Sequence, residues 1–406
     1  MPKAAPETAS TPNLRHLRAL LMVAEAKSIT AAADRIHLSQ PAITQALNKL
    51  ERHFGARLFD RQKSGMYLTA EGALLCDRAR RALGYVTEAA REVTREAKGR
   101  RNHADRLMTT AQLQALVAVS EQGSFALAAR ATGLAQPTLH RAARDLERNL
   151  GAVLFERTSY GVKPTRAANR SVDRAQLAFS ELARARAEIA ARGGREAGTT
   201  VIGALPLARS DLVPKAVSQF SGRNPGHRIV ITEGPYETLL LGLRRGEIDF
   251  LVGAIREDLP APNVTQEKLF DDPLSIIMRA GHPLARKGRI TRRQLALFPW
   301  VAPRKDAPLR GQFEALFAAP GVDRPDDVIE CNALSASRVL LMESDRLMLL
   351  SDAQTRYERD AGMLVSRPHP DGRIVRAIGL TTRRDWRPTD AQGDLVDLLR
   401  RQARLT

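Results

Sequence analysis

The chain has 406 residues, of which 43% are hydrophobic and 27% charged, and a net charge of +18, enough for two or three cored domains and a basic balance that favours a polyanionic partner. Residues 1–199 carry 32 Lys and Arg against 19 Asp and Glu, while residues 200–406 carry 31 against 26, so the polyanion is expected at the N-terminal half. Cys76 and Cys331 lack any CxxC or Cys/His spacing, which argues against a structural metal and for a reducing compartment; no signal-peptide core and no apolar run of about 18 residues is seen, so no membrane partner is expected and the cytoplasm is the expected location.

Residues 1–13 read as a loose polar tail. Leu17, Leu20, Leu21 and Ala24 fall on one face of a helix over Leu14–Ala26. Ser28 is a suitable N-cap for a second helix, Ile29–Ile36, whose row of small alanines permits close packing. Ser39 caps a third helix with Pro41 in its first turn, where a missing N–H costs little. Ile43, Leu47 and Leu50 point inward, which leaves Gln40, Ala42, Thr44, Gln45, Asn48 and Lys49 on the outer faces. A short, polar, hydrogen-bonding surface of this kind suits a helix that enters the major groove. Gly55 then breaks the chain, Leu58-Phe59 re-enters the core, and residues 65–69 form a wing that carries Arg61 and Lys63 beside phosphates. Arg52, in the last turn of the third helix, joins the same cationic rim. A long helical segment follows at 73–98.

The whole order then returns. Residues 17–70 recur at 113–166, offset by 96 with no gap, and 22 of the 54 pairs are identical. Identities include Gln40-Pro41 with Gln136-Pro137, Leu50-Glu51-Arg52 with Leu146-Glu147-Arg148, and Leu58-Phe59 with Leu154-Phe155. Such a repeat marks two copies of one structural unit. The copies are separated by the polar stretch 99–106, and a glycine-containing break at 192–198 closes the second. The outer face of copy two carries Gln136, Thr138, His140, Arg141, Arg144 and Arg148, with Arg157 and Lys163 on its wing. Ala135 stands where copy one has the Ser39 cap, a loss of about 1 kcal/mol at that helix terminus.

Beyond residue 200 short apolar runs (201–205, 228–232, 249–255, 274–278, 347–350, 374–380) alternate with helical segments (212–221, 236–245, 309–318, 334–344). This pattern predicts α/β structure with a largely parallel sheet in two lobes.

Leu38-Ser39-Gln40-Pro41-Ala42-Ile43-Thr44, then Leu50-Glu51, Gly55, Leu58-Phe59, Arg61 and Leu68-Thr69-Ala70-Glu71-Gly72 resemble the N-terminal signature of LysR-type transcriptional regulators. Ile202-Gly203-Ala204-Leu205-Pro206, the run from Leu243 to Asp249 and His282-Pro283-Leu284-Ala285 resemble that family's effector-domain landmarks. The resemblance covers nearly the whole chain; the second reader departs from it. It implies an α/β multidomain chain: winged helix-turn-helix modules at 14–72 and 107–166, linker helices at 73–98 and 167–192, and a two-lobed, periplasmic-binding-protein-like effector domain at 200–406. The family commonly has arginine where this chain has Gln45, and copy two keeps it as Arg141. Arginine addresses guanine and glutamine suits adenine, so the copies are expected to prefer different bases, unless one is a structural relic.

The linker helices carry Leu75, Ala79, Ala82, Val86, Ala89 and Val93 in one copy and Ser171, Ala175, Ala178, Leu182, Ala185 and Ile189 in the other, a heptad seam that needs a facing helix. The resemblance implies antiparallel pairing in a dimer. A connection of eight residues reaches at most about 28 Å, so an intrachain pseudo-dimer of readers and a homo-oligomer paired between chains both stay open.

For the effector, strand-to-helix junctions are the candidates: Leu207, Ala208, Arg209 and Ser210 after the first strand, Arg304 and Asp306 after Trp300-Val301, and Asn332 with Ser335. Ser210 or Asp211 is expected to cap the next helix. Helix N-termini with Arg209 or Arg304 suit a carboxylate or another anion. No cofactor is expected, and no GxSxG, HExxH, phosphate loop or dinucleotide fingerprint stands in a fitting context, so no enzyme is expected. The alternatives are a solute-binding protein of the same two-lobed fold, disfavoured by the basic repeat, and a ligand-independent architectural DNA binder.

Overall fold

A computed structural model describes residues 11–96, 104–194, 198–205, 208, 211–256, 263–305, 307 and 309–405. The chain divides into two compact units: one holds residues up to Thr200 with Pro225–Arg228 and Leu241–Ile248, the other the remainder.

In the first unit, α1 (Leu14–Ala26), α2 (Ile29–Ile36) and α3 (Gln40–Phe54) precede the hairpin β1 (Phe59–Gln62) and β2 (Gly65–Leu68), and then α4 (Ala70–Glu96). A single helical turn, α5 (Ala104–Leu107), opens the second copy. Then come α6 (Thr110–Gln122), α7 (Phe125–Thr132), α8 (Gln136–Leu150), the hairpin β3 (Phe155–Thr158) and β4 (Gly161–Pro164), and α9 (Arg166–Arg192). The stretch 99–106 was expected to be a polar connection, yet α5 occupies its end: Ala104 is buried and the Asp105 carbonyl accepts from Arg18 Nη2 at 2.6 Å.

The repeat is visible bond by bond. Glu51 Oε1 accepts the Leu58 N–H at 2.9 Å, and Glu147 Oε1 accepts the Leu154 N–H at 2.8 Å. The Lys27 carbonyl accepts the Met66 N–H, and the Gly123 carbonyl accepts that of Val162, each at 2.9 Å. The glycine that begins the second hairpin strand is obligatory in both: at Gly65 (φ +141°) an added Cβ would lie 2.7 Å from the Lys27 oxygen, and at Gly161 (φ +147°) 2.4 Å from that of Gly123.

Helices α4 and α9 pack antiparallel. Arg78 near the start of α4 reaches Glu188 near the end of α9 at 3.0 Å, and Arg174 near the start of α9 reaches Glu92 at 3.6 Å. These two ion pairs are exchanged by the 96-residue offset. Ser171 Oγ donates to the Ala89 carbonyl at 3.3 Å, and that register sets Ala82 opposite Ala178. At the other end of the unit the Leu14 N–H donates to Thr110 Oγ1 at 3.2 Å, where Leu14 and Thr110 are again 96 positions apart. Equivalent residues of the two copies thus face each other, as the two-fold relation that exchanges the ion pairs requires. All twelve seam residues are buried, and both helices contribute to one core cluster, so the facing helix that the seam requires comes from the same chain.

The second unit contains β5 (Thr199–Ala204), α10 (Leu212–Arg223), β6 (Arg228–Thr232), α11 (Tyr236–Arg245), β7 (Phe250–Ala254), β8 (Val264–Arg279), α12 (Arg292–Ala296), β9 (Trp300–Ala302), α13 (Leu309–Ala315), β10 (Val328–Glu330), α14 (Leu334–Met342), β11 (Met348–Ser351), α15 (Arg356–Asp360), β12 (Leu364–Pro368), β13 (Val375–Arg383) and α16 (Asp390–Ala403), a few of which begin or cross into segments grouped with the first. The main sheet runs β11-β8-β13-β7-β5-β6, with β12 also on β8. It is not largely parallel. β5 and β7 are parallel, as are β9 and β10, but β13 lies antiparallel to both β7 and β8, and β11 and β12 antiparallel to β8. The expectation failed because the return segment was placed by its apolar run alone, and an apolar run carries no strand direction. The described residues of this unit form three apolar clusters. One gathers Ile202, Phe220, Phe250, Leu380, Leu395 and Leu399, a second Ile276, Met278, Trp300, Phe313 and Leu349, and a third Ile277, Val301, Leu341 and Leu350; β8 contributes to all three.

Candidate nucleic-acid interface and effector site

Helix α3 begins at Ser39, whose hydroxyl accepts the Ala42 N–H at 3.4 Å; Pro41 lies in its first turn and Gly55 ends it in a left-handed conformation. Ile43, Ala46, Leu47 and Leu50 hold the helix to its own core. That leaves Ser39, Gln40, Ala42, Gln45, Asn48, Lys49 and Arg52 exposed along one side. Thr44 is half-buried and donates to the Gln40 carbonyl at 3.0 Å. Arg61 and Lys63 are exposed on the hairpin of β1 and β2.

Helix α8 repeats this arrangement with different chemistry. Ala135 occupies the N-cap and makes no side-chain cap bond. Gln136, Thr138, Arg141, Arg144 and Arg148 are exposed, as are Arg157 and Lys163 on the hairpin of β3 and β4. Arg148 also meets Asp145 at 3.0 Å, which draws part of its charge toward its own helix. His140 is half-buried and stacks on Phe125, ring centres 3.7 Å apart. Burial there, reinforced by Arg144 and Arg157, holds the His140 imidazole below its ordinary range. It is therefore a neutral, packed ring at physiological pH rather than a further cation. Sequence reasoning missed Phe125. The signal was available: Ile29 and Thr44 of copy one change together, to Phe125 and His140, at positions in contact across α7 and α8.

Among the effector candidates, Ala208 is fully buried and offers no polar side chain. Arg304 and Asn332 come together at the carboxyl ends of the parallel neighbours β9 and β10, where Asn332 Oδ1 accepts the Arg304 N–H at 3.0 Å. Both are exposed, as is Ser335 on the first turn of α14. Leu207, Arg209, Ser210 and Asp306 lie outside the described residues. Asp211 does not cap α10 with its side chain; it takes Lys215 Nζ at 2.6 Å instead. Arg310 was overlooked inside an apolar helical segment. It is buried, and its guanidinium donates to the Pro303 carbonyl at 2.9 Å and to Glu330 and Glu314, each at 2.7 Å. Arg310 thus ties the loop after β9 to β10, the same two strand ends that present Arg304 and Asn332.

Residues 14–73 and 110–169 each match the bacterial regulatory helix-turn-helix protein family of lysR type, and residues 193–404 match the LysR substrate binding domain. The chain is a LysR-type transcriptional regulator. It is 34% identical over 372 residues to the HTH-type transcriptional regulator GalR of Pseudomonas putida, across 92% of each chain. It is 28% identical over 291 residues to the HTH-type transcriptional regulator PcaQ of Agrobacterium fabrum, where 94% of that protein accounts for 72% of this one. Among solved structures, a full-length single-site variant of OxyR from Pseudomonas aeruginosa shares the fold, with a TM-score of 0.55 and 23% identity over 75% of this chain and 96% of that one.

As a LysR-type regulator it binds DNA sequence-specifically through N-terminal helix-turn-helix structure, and a small-molecule effector taken by the C-terminal domain modulates promoter binding. The family consists of regulators rather than enzymes. Among the described residues no helix is long and apolar enough to cross a membrane.

Proposed function

We propose that this regulator grips its operator with both of its own readers, paired within one chain, and that the two read different half-sites. The antiparallel packing of α4 on α9, with its exchanged ion pairs Arg78–Glu188 and Arg174–Glu92, carries this reading. Each chain then brings the second reader to DNA at a high effective concentration without waiting for another subunit. Gln45 and Asn48 of reader one suit adenine, and Arg141 of reader two suits guanine. Ser39, Gln40, Ala42, Thr44, Gln136 and Thr138 line the groove-facing turns, and Lys49, Arg52, Arg61, Lys63, Arg144, Arg148, Arg157 and Lys163 serve phosphates. His140 positions α8 through Phe125.

The effector is an anion taken at the strand ends that carry Arg304, Asn332 and Ser335, and the protein works in the cytoplasm. Ligand acts by differential affinity for two arrangements of the readers. Mass measurement at nanomolar protein combined with a footprint tests the pairing. A chain that is monomeric and still protects two unlike half-sites is the expected result; protection that vanishes on dilution to monomer refutes it.

A further inference from the structure

The pairing of α4 with α9 is not symmetric in its charges, and the asymmetry is buried. Glu181 and Arg78 are 2% and 3% exposed. Glu181 receives Arg78 at 2.8 Å, Arg81 at 3.2 Å and, from its own helix, Arg184 at 3.5 Å. Arg78 also holds Glu188, and Arg174 holds Glu88 at 3.2 Å. Burial by itself would push the Glu181 carboxyl up; Arg184, Arg78 and Arg81 together hold it below the usual carboxylate range, so the charge stays.

Subtracting the repeat shows what any other pairing would bring together. In a pair of α4 helices from two copies, Arg78 and Arg81 would both face Tyr85 of the second copy, because Tyr85 stands where α9 has Glu181; Glu92 would take the place of Glu188 beside Arg78, and the carboxylate that Arg78 and Arg81 share would be gone. In a pair of α9 helices, Arg174 would take the place of Arg78, but Glu181 would meet Leu177 where Arg81 now stands. Arg174 would also face Arg184, which replaces Glu88. A buried guanidinium that loses one of its carboxylates, or two guanidiniums set against each other, is unfavourable. The seam residues, by contrast, are alanine-rich in both helices and do not discriminate.

We infer that the cluster of Arg78 and the half-buried Arg81 around the buried Glu181 carboxylate is a partner-selection code that makes α4 take α9 and rejects α4–α4 and α9–α9 pairing between copies. Like-helix contacts that would cross-link regulators in unintended registers are penalised, while the matching surface is supplied by the same chain. Selection by an unfavourable alternative is the usual route to specificity between similar helices. The inference deepens the intrachain pairing proposed above, and its test needs neither DNA nor effector, so the two can fail separately.

The two-fold axis offers a reporter. In a full-length chain with Cys76→Ala and Cys331→Ser, the pair Ala82→Cys and Ala178→Cys should close on mild oxidation at monomer mass. Adding Arg78→Glu with Arg81→Glu, or Glu181→Arg with Arg184→Glu and Glu188→Arg, should abolish that closure. Combining all five charge changes in one chain should restore it, because every pair of the cluster, Arg184 with Glu181 included, is then inverted; mixing the two partly changed chains should give a one-to-one dimer that neither forms alone. Closure in either partly changed chain as readily as in the parent overturns the inference. So does a five-site chain that fails to regain closure, since restoration is the outcome that simple misfolding of the partly changed chains cannot mimic.

Discussion

Thr44 and His140 occupy equivalent places and do different things, which shows how little a position in a reading helix says about its role. Thr44 bonds back to its own helix, and His140 leans on Phe125. Their neighbours Gln45 and Arg141 are exposed, and in the function proposed above these two carry most of the base preference. Arg141→Ala should cost about 1–3 kcal/mol on a guanine-bearing half-site and relax preference there; titration of labelled half-site duplexes checks this. A loss of equal size on every sequence would make Arg141 a phosphate contact. The caps give a second comparison. Ser39 closes its helix start and Ala135 does not, so Ser39→Ala should destabilise by about 1 kcal/mol and Ala135→Ser should stabilise by a similar amount. Thermal unfolding of the two variants should show opposite shifts in Tm.

At the scale of elements, α4 and α9 carry most of the molecule's distinctive physics. Their alanine rows let the backbones approach, and their buried charges make that approach selective. Glu181 has a folded-state pKa below its ordinary value of 4.5. Its contribution is accordingly complete above that value and disappears as pH falls through the lowered folded value. Acid titration of helix content should therefore show a loss of pairing that Glu181→Gln removes, with Arg78, Arg81, Arg184 and Glu188 all bearing on the same cluster. A Glu181→Gln chain with an unchanged acid profile would show that other carboxylates govern it. Truncating Arg78 to Ala should cost toward the lower end of about 3–5 kcal/mol, because Glu181 keeps Arg81 and Arg184 but loses its shortest ion pair, and Glu188 loses Arg78 as well; denaturant unfolding of that variant measures the loss.

For the molecule as a whole, the repeat had already announced two readers, and the heptad seam had announced that each linker helix needs a partner. What the linear order could not supply was the partner's identity. The two seams are alike, small and apolar except for Ser171 of α9, so they suit any of three pairings. Only the contacts of Arg78, Arg81 and Glu181 distinguish them, and these residues are about a hundred positions apart in sequence. The effector domain shows the same limit: apolar runs placed the strands 228–232 and 374–380 closely, but the antiparallel return of β13 onto β7 and β8 is a matter of topology.

The sequence by itself determined the local things: the caps at Ser28 and Ser39, the outer faces of α3 and α8, and the family, because these depend on residues within a few turns of one another. Tertiary structure decided which helix faces which, where Glu181 finds its counter-charges, and that Arg304 and Asn332 share one strand end. Those outcomes rest on long-range contacts and on desolvation, and neither has a signature in the order of residues until the chain is folded.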